Sequence, residues 1–189
     1  MFSFDESRLP RQQPKVFLPP GQRLVTQIPE DDDELVPLLD RADWELTLTT
    51  EEGRHYRWDW SAFEALLSQR ITLDLHCVAG WSVLDTTWDA VSVHQLFDGV
   101  PTAAEFVSIE AYGGQSTNLP VEDLLEIPTW LAFTLNGTPL TPTQGGPVRL
   151  IVPHLYLWKS LKWAHTLTLG TQDRPGTRGG GGFTTYGDP

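Results

Sequence analysis

Runs of apolar and β-branched residues predict the strands of this chain. Apolar and polar residues alternate over 44–49, as expected for a strand with one buried face. Residues 148–152 are apolar apart from Arg149 and predict a buried strand. Asn136-Gly137, the dipeptide most typical of a tight hairpin, follows an apolar run. The predicted strands are residues 44–49, 70–78, 105–112, 131–135 and 148–152, with a further strand that ends at residues 167–169.

Helix-start signals are few and predict short helices. Ser61-Ala-Phe-Glu64 and Ser92-Val-His-Gln95 are capping boxes, which predict helices over 61–69 and 93–98. Pro120 suits the first turn of a third helix that ends near Glu126. Strands and short helices mix without a regular β-α-β alternation. This order predicts an α+β fold with mixed β-sheets rather than a doubly wound one.

Composition shifts divide the chain into an arm and one domain. Residues 1–40 are punctuated by prolines and contain the acidic run 30–34, so they predict an irregular arm. Residues 41–189 predict a single domain. Its end includes a glycine-rich loop over 176–182.

Charge and cysteine usage exclude several functions and indicate a compartment. The formal net charge of −12 argues against a nucleic-acid partner, which favours a basic surface. No apolar run approaches the roughly 18 residues of a membrane span, and prolines stand where a signal peptide needs an apolar core. The single cysteine forms no intramolecular disulfide, so we expect a reducing, cytoplasmic location.

Common catalytic motifs are incomplete. His76 and Cys77 are adjacent, which is not a zinc-ligand spacing, because neighbours on a strand point to opposite faces. Gly80-Trp-Ser82 begins like a nucleophile elbow, but Leu84 replaces its second glycine. A serine hydrolase is therefore a remote alternative.

Three positions admit both a structural and a functional interpretation. Arg149 inside its apolar strand needs an anion, supplied either by a carboxylate of this acidic chain or by a ligand. In 156–163, a short helical turn would aim Lys159 or Lys162 at an anion, or leave both in solvent. Cys77 taken alone fits a buried core residue, since free cysteines are among the most buried residue types.

Ordered motifs give the chain a family resemblance. His76-Cys-Val-Ala-Gly-Trp-Ser82, followed by Trp88, resembles the molybdenum–cysteine motif of the sulfite oxidase superfamily, the oxidoreductase molybdopterin-binding domain. The likeness is greatest to its short single-domain bacterial sulfite oxidase-like members. The motifs that carry the rest of the resemblance are residues 19–22, 113–124, 139–153, 158–163, 173–176 and 186–189.

The resemblance implies a cofactor, molybdenum–molybdopterin, and the residues that hold it. Cys77 would be the thiolate ligand of molybdenum and the catalytic residue. The pterin and its phosphate would be bound by Gln144, Arg149, Ser160, Leu161 and Lys162, with Lys159 and Trp88 as weaker candidates that shape the pocket. Arginine, lysine and hydroxyl donors suit a phosphate.

The implied activity is oxygen-atom transfer to or from a small-molecule substrate, with electrons exchanged through a separate partner protein. Sulfite oxidases proper carry an arginine just after this cysteine, whereas Gly80, Trp81 and Ser82 stand here, which argues against sulfite as the substrate. The alternative from another class is a non-catalytic relative that keeps the fold without a complete cofactor and serves as a binding or scaffold protein. The acidic run 30–34 and the glycine-rich loop, where relatives differ, motivate it.

Overall fold

The computed structural model describes residues 18–29 and 35–177, which form two five-stranded sheets and a small hairpin. We number the elements in chain order. The strands are β1 (Arg23–Leu24), β2 (Glu45–Thr49), β3 (His55–Asp59), β4 (Ser68–Cys77), β5 (Trp81–Ser92), β6 (Phe106–Ala111), β7 (Ser116–Pro120), β8 (Trp130–Ala132), β9 (Thr134–Leu135), β10 (Thr138–Pro139), β11 (Arg149–Ile151) and β12 (Ala164–Gly170). The helices are α1 (Trp60–Glu64), α2 (Val121–Glu126) and a 3₁₀ helix (Val93–Phe97).

The two sheets differ in strand order. The first has the order β1-β5-β8-β11, with β4 paired along the length of β5, and the second has the order β3-β2-β12-β6-β7. Pairing is mostly antiparallel, but β1–β5 and β2–β12 are parallel. The mixed sheets and short helices confirm the predicted α+β class.

Two apolar clusters occupy opposite faces of the first sheet. Val91, Leu131 and Leu150 are cross-strand neighbours and belong to the large cluster that also covers the second sheet. Ala90 and Ala132, one residue along, belong to a smaller second cluster. This alternation follows from the two-residue period of a strand.

The hairpin prediction is confirmed, and the predicted strand before it is interrupted. Asn136 (φ +51°) and Gly137 (φ +80°) connect β9 to β10, the backbone that a two-residue hairpin turn requires. The predicted strand 131–135 is divided at Phe133 into β8 and β9, although the backbone NH of Phe133 still donates to the Asp89 carbonyl of β5 at 3.1 Å.

Of the three predicted helices, the one near Pro120–Glu126 is confirmed as α2, whereas one differs in its bounds and one in its type. The helix expected over 61–69 is α1, because the Asp59 side chain rather than Ser61 caps it by accepting from the backbone NH of Ala62 at 2.8 Å. Its expected last turn is shortened because Ser68 already pairs with Val91 in the β4–β5 ladder. The 3₁₀ helix replaces the α-helix expected over 93–98, and the Ser92 side chain makes no cap hydrogen bond.

Candidate active site

Cys77 is the last residue of β4 and lies at the mouth of a tight hairpin. The backbone NH of Gly80 donates to the Cys77 carbonyl at 2.9 Å, and Cys77 pairs with Trp81 across the hairpin. Gly80 has φ +80°, as expected for the left-handed residue that closes a three-residue loop. The Cys77 side chain is half-buried against the second cluster. The predicted position at a strand end before a glycine turn is confirmed.

The turns that follow β11 return to the strand that carries Cys77. The backbone NH of Leu157 donates to the His76 carbonyl at 2.8 Å, and the Leu157 side chain packs on the same cluster as Cys77. The backbone NH of Ser160 then donates to the Leu157 carbonyl at 3.0 Å. Residues 156–163, for which the sequence allowed a short helical turn, form consecutive turns rather than a regular helix. They bring Ser160 near the end of β4.

Ser160 and Leu161 are also fixed to β11. Leu161 and Leu150 exchange two backbone hydrogen bonds, at 2.8 and 3.1 Å, so both backbone groups of Leu161 are already used. The Ser160 hydroxyl accepts from the backbone NH of Val152 at 3.0 Å and is almost completely buried. A hydroxyl that accepts one hydrogen bond still has its own proton to donate.

Arg149 is buried inside the first sheet, with only 4% of its surface exposed. Its Nη1 donates to the Gln144 carbonyl at 2.9 Å, and its guanidinium carbon lies 5.8 Å from the centroid of the Trp88 ring. Arg149 pairs with Ala132, so it faces the cluster that Cys77 contacts. The Gln144 Oε1 accepts from the backbone NH of Thr141 at 3.0 Å. Gln144 and Arg149 are therefore brought together.

Lys162 lies directly against the loop that carries Gln144. A Cβ atom added to Gly145, which has φ +96°, would lie 2.8 Å from Lys162 Cβ. The backbone NH of Trp163 donates to the Gly145 carbonyl at 3.2 Å, and its indole donates to the Pro142 carbonyl at 2.8 Å. The Lys162 Nζ lies 5.6 Å from the Trp163 ring centroid. Loop 141–147 and Lys162 thus form one unit.

The weaker candidates, Lys159 and Trp88, occupy interior positions. The Lys159 Nζ donates to the carbonyl of Asn118 at 2.8 Å and to its Oδ1 at 3.0 Å, and the residue is 2% exposed. Asn118 also donates to Asp173, so Lys159 stabilises the attachment of 173–176 to β7. Burial lowers the Lys159 pKa, against the attraction of Asp173 and Asp123. Trp88 is completely buried.

Sequence reasoning missed three polar side chains beside Cys77. Gln22 Nε2 donates to the Cys77 carbonyl at 3.0 Å, and the Ser82 hydroxyl donates to Gln22 Oε1 at 3.1 Å. His76 Nδ1 lies 2.8 Å from the Ser82 oxygen, and burial lowers the His76 pKa despite nearby Asp74. Ser82 is fully buried inside β5, unlike the exposed serine of a hydrolase elbow. His76 and Ser82 lie in the family-like motif 76–82 and Gln22 in the family-like segment 19–22, but no local pattern indicated that the three side chains are hydrogen-bonded to one another.

Comparisons with known proteins agree with this arrangement. The model of the oxidoreductase molybdopterin-binding domain matches residues 33–178. The chain belongs to this family. Membership confirms the predicted family, the oxidoreductase class and the predicted cofactor, molybdenum–molybdopterin.

Two known proteins are similar to this chain. The chain is 34% identical over 175 residues to the "uncharacterized oxidoreductase YuiH" of Bacillus subtilis (strain 168), a match that covers 91% of this chain and 88% of YuiH. The fold is similar to that of the sulfane dehydrogenase SoxCD from Paracoccus pantotrophus, with a TM-score of 0.65 at 16% identity. That match covers 76% of this chain and 41% of the SoxCD chain, so the chain spans less than half of that protein.

Cys77 and the polar groups at loop 141–147 are chemically suited to a molybdopterin cofactor. A cysteine thiolate is a soft ligand that suits molybdenum. Arg149 and Lys162 bring two cations to the same loop of an acidic chain, and Gly145 has no Cβ, so the loop packs closely against Lys162. Cations with a hydroxyl such as Ser160 are the usual partners of a phosphate.

In the part of the chain that the structure describes, every helix is too short or too polar to cross a membrane.

Proposed function

We propose that this protein is a molybdenum–molybdopterin oxidoreductase that transfers an oxygen atom to or from a small substrate. The bound cofactor would supply the redox-active metal, and the chain would supply ligation, orientation and access. The proposal rests mainly on one observation. The half-buried Cys77 is the last residue of β4. The residue before it, His76, accepts a backbone hydrogen bond from Leu157, at the start of the turns that lead to Ser160 and Lys162.

The proposed roles follow from the chemistry of each side chain. Cys77 is the metal ligand and the catalytic residue, held by its hairpin turn. Arg149, with its planar donor fork, and Lys162, with a point charge, bind the phosphate of the pterin. The Ser160 hydroxyl donates to the same group.

Gln144 and Leu161 have more restricted roles in this proposal. The Gln144 side-chain oxygen is used within the loop, so its amide NH₂ group is the part offered to the pterin. The backbone groups of Leu161 are paired with Leu150, so Leu161 contributes a side-chain contact.

The test is metal and pterin analysis of protein made in a host that synthesises molybdopterin. We expect about one molybdenum and one pterin per chain, and an absorption band from the thiolate–metal bond. Cys77→Ala should lose that band and most of the metal, whereas Ser82→Ala should keep the metal.

Two results would contradict the proposal. Wild-type protein without molybdenum or pterin would favour the non-catalytic alternative. An unchanged metal content and spectrum in Cys77→Ala would exclude Cys77 as the ligand.

Partner and location complete the proposal. We propose that a separate electron-transfer protein exchanges electrons with this site, as the resemblance implies. We also propose a cytoplasmic location, because a reducing compartment keeps the single thiol available for a metal. Cell fractionation followed by immunoblotting tests the location.

A further inference from the structure

One glutamine side chain makes two directed hydrogen bonds around the Cys77 turn. The Gln22 amide nitrogen lies 3.0 Å from the Cys77 carbonyl oxygen, and its amide oxygen lies 3.1 Å from the Ser82 hydroxyl. Cys77 and Ser82 lie on the two strands of the hairpin, with the turn between them. The Gln22 side chain therefore connects both strands of the hairpin.

The hydrogen count fixes the direction of every bond in this network. A carbonyl only accepts, so the Gln22 NH₂ group must face Cys77 and its oxygen must face Ser82. The single Ser82 proton then goes to Gln22, so the Ser82 oxygen accepts from His76 Nδ1–H. Each of the three side chains has one arrangement that satisfies the whole network, which gives the network a single geometry.

The backbone around Gln22 is attached to the same hairpin. The backbone NH of Arg23 donates to the Gly80 carbonyl at 3.0 Å, and that of Val25 donates to the Ser82 carbonyl at 2.8 Å. Ser82 is fully buried, so water competes little for its hydroxyl. Gln22 is thus held in place by β1 on one side and by Ser82 on the other.

We propose that Gln22 is a positioning residue that holds the Cys77 backbone, and with it the Cα–Cβ bond that carries the sulfur, in one orientation. The Cys77 carbonyl accepts from both Gly80 and Gln22, so its peptide group has little freedom to rotate. The β4–β5 ladder holds the other side of Cys77, so restraint of its carbonyl limits rotation about the Cα–C bond and holds the Cα–Cβ bond in one direction. The sulfur can then move only by rotation about the Cα–Cβ bond. This inference rests on the proposed role of Cys77 as the metal ligand.

The test uses the full chain with and without cofactor. The variant Gln22→Met keeps the side-chain length and removes both hydrogen bonds. The matched control is Gln27→Met, an exposed glutamine in the same described segment. Because Cys77 is the only cysteine, labelling with a thiol-reactive disulfide reports on this site alone.

In cofactor-free protein, we expect Gln22→Met to be labelled about tenfold faster than wild type, since two lost hydrogen bonds loosen the turn. In loaded protein, we expect its molybdenum content to be retained. The electron paramagnetic resonance spectrum of its one-electron-reduced form should change, because that spectrum depends on the torsion of the metal–sulfur bond. Gln27→Met should match wild type in both measurements.

Unchanged labelling, or an unchanged resonance spectrum, in Gln22→Met would overturn the proposal. If Gln22→Met does not fold, Ser82→Ala is the second variant, because it removes the hydroxyl that donates to the Gln22 oxygen. We expect Ser82→Ala to show smaller changes in labelling rate and resonance spectrum, and the absence of both changes would overturn the proposal equally. Labelling does not depend on metal. A failure of the metal-ligand role therefore shows separately, as an unchanged metal spectrum in Cys77→Ala.

Discussion

Lys159 and Lys162 stand three residues apart, yet their surroundings differ completely. Lys159 is 2% exposed and donates to two oxygens of Asn118, so its charge is compensated within the fold. Lys162 is half-buried against Gly145 of loop 141–147, where we propose that the phosphate of the pterin binds. The sequence pattern presented the two lysines as equivalent, whereas the structure buries Lys159 and leaves Lys162 half-buried against Gly145.

The two lysines can be separated by matched substitutions. We expect Lys159→Met to lower the free energy of unfolding by about 1–3 kcal/mol, because it leaves buried acceptors of Asn118 without a donor. Lys162→Met should change stability by less than about 0.5 kcal/mol but lower cofactor content. Urea unfolding of the cofactor-free proteins and pterin analysis of the loaded proteins measure both effects. Equal stability of the two variants would contradict these assignments.

At the scale of elements, the loop 141–147 depends on a glycine. Gly145 combines a positive φ with direct contact to the Lys162 side chain, whereas Gly137 has a similar φ in the open hairpin turn. The comparison separates backbone strain from packing.

We expect Gly145→Ala to lower the free energy of unfolding by about 2–4 kcal/mol, from the strained backbone and the clash with Lys162. Gly137→Ala should lower it by about 1 kcal/mol, from the backbone alone. Gly145→Ala should also reduce cofactor content, since it displaces Lys162. Thermal unfolding and pterin analysis measure these effects, and equal losses in the two variants would argue against the packing role.

Elements with a local signal were predictable, and the longest strand was not. The strand at 44–49 and the Asn136-Gly137 turn follow from alternation and turn chemistry. The strand β5 lacks such a signal, because it mixes charged and apolar residues and contains Asp85 at φ +54°. It forms because β4, β8 and β1 all pair with it.

At the scale of the whole molecule, stability in acid depends on a half-buried histidine, His165. His165 in β12 packs 4.4 Å from the Tyr112 ring, and burial lowers its pKa despite the opposing charge of Glu110. The unfolded chain therefore binds a proton at His165 at a higher pH than the folded chain does. The contribution of His165 to the free energy of unfolding is fully present above its unfolded pKa of 6.5. This contribution is lost as the pH falls through the lower pKa of His165 in the folded chain.

We expect the free energy of unfolding to fall between about pH 7.5 and about pH 5.5. His165→Gln, which cannot gain a proton, should reduce this slope. His94→Gln, at an exposed position of the 3₁₀ helix, is the matched control and should keep the wild-type slope. Urea unfolding across this range measures the slopes. Identical slopes for all three proteins would refute the role of His165.

The sequence by itself determined the fold class, the strand end at Cys77 and the family motifs, because these depend on local patterns and turn chemistry. Tertiary structure alone decided that Leu157 bonds to His76, that Gly145 receives Lys162 and that Gln22 holds the Cys77 turn. Gln22 and Cys77 are 55 positions apart, and no local pattern encodes a hydrogen bond over that separation. Such contacts arise only when the sheets pack and bring unrelated segments into register.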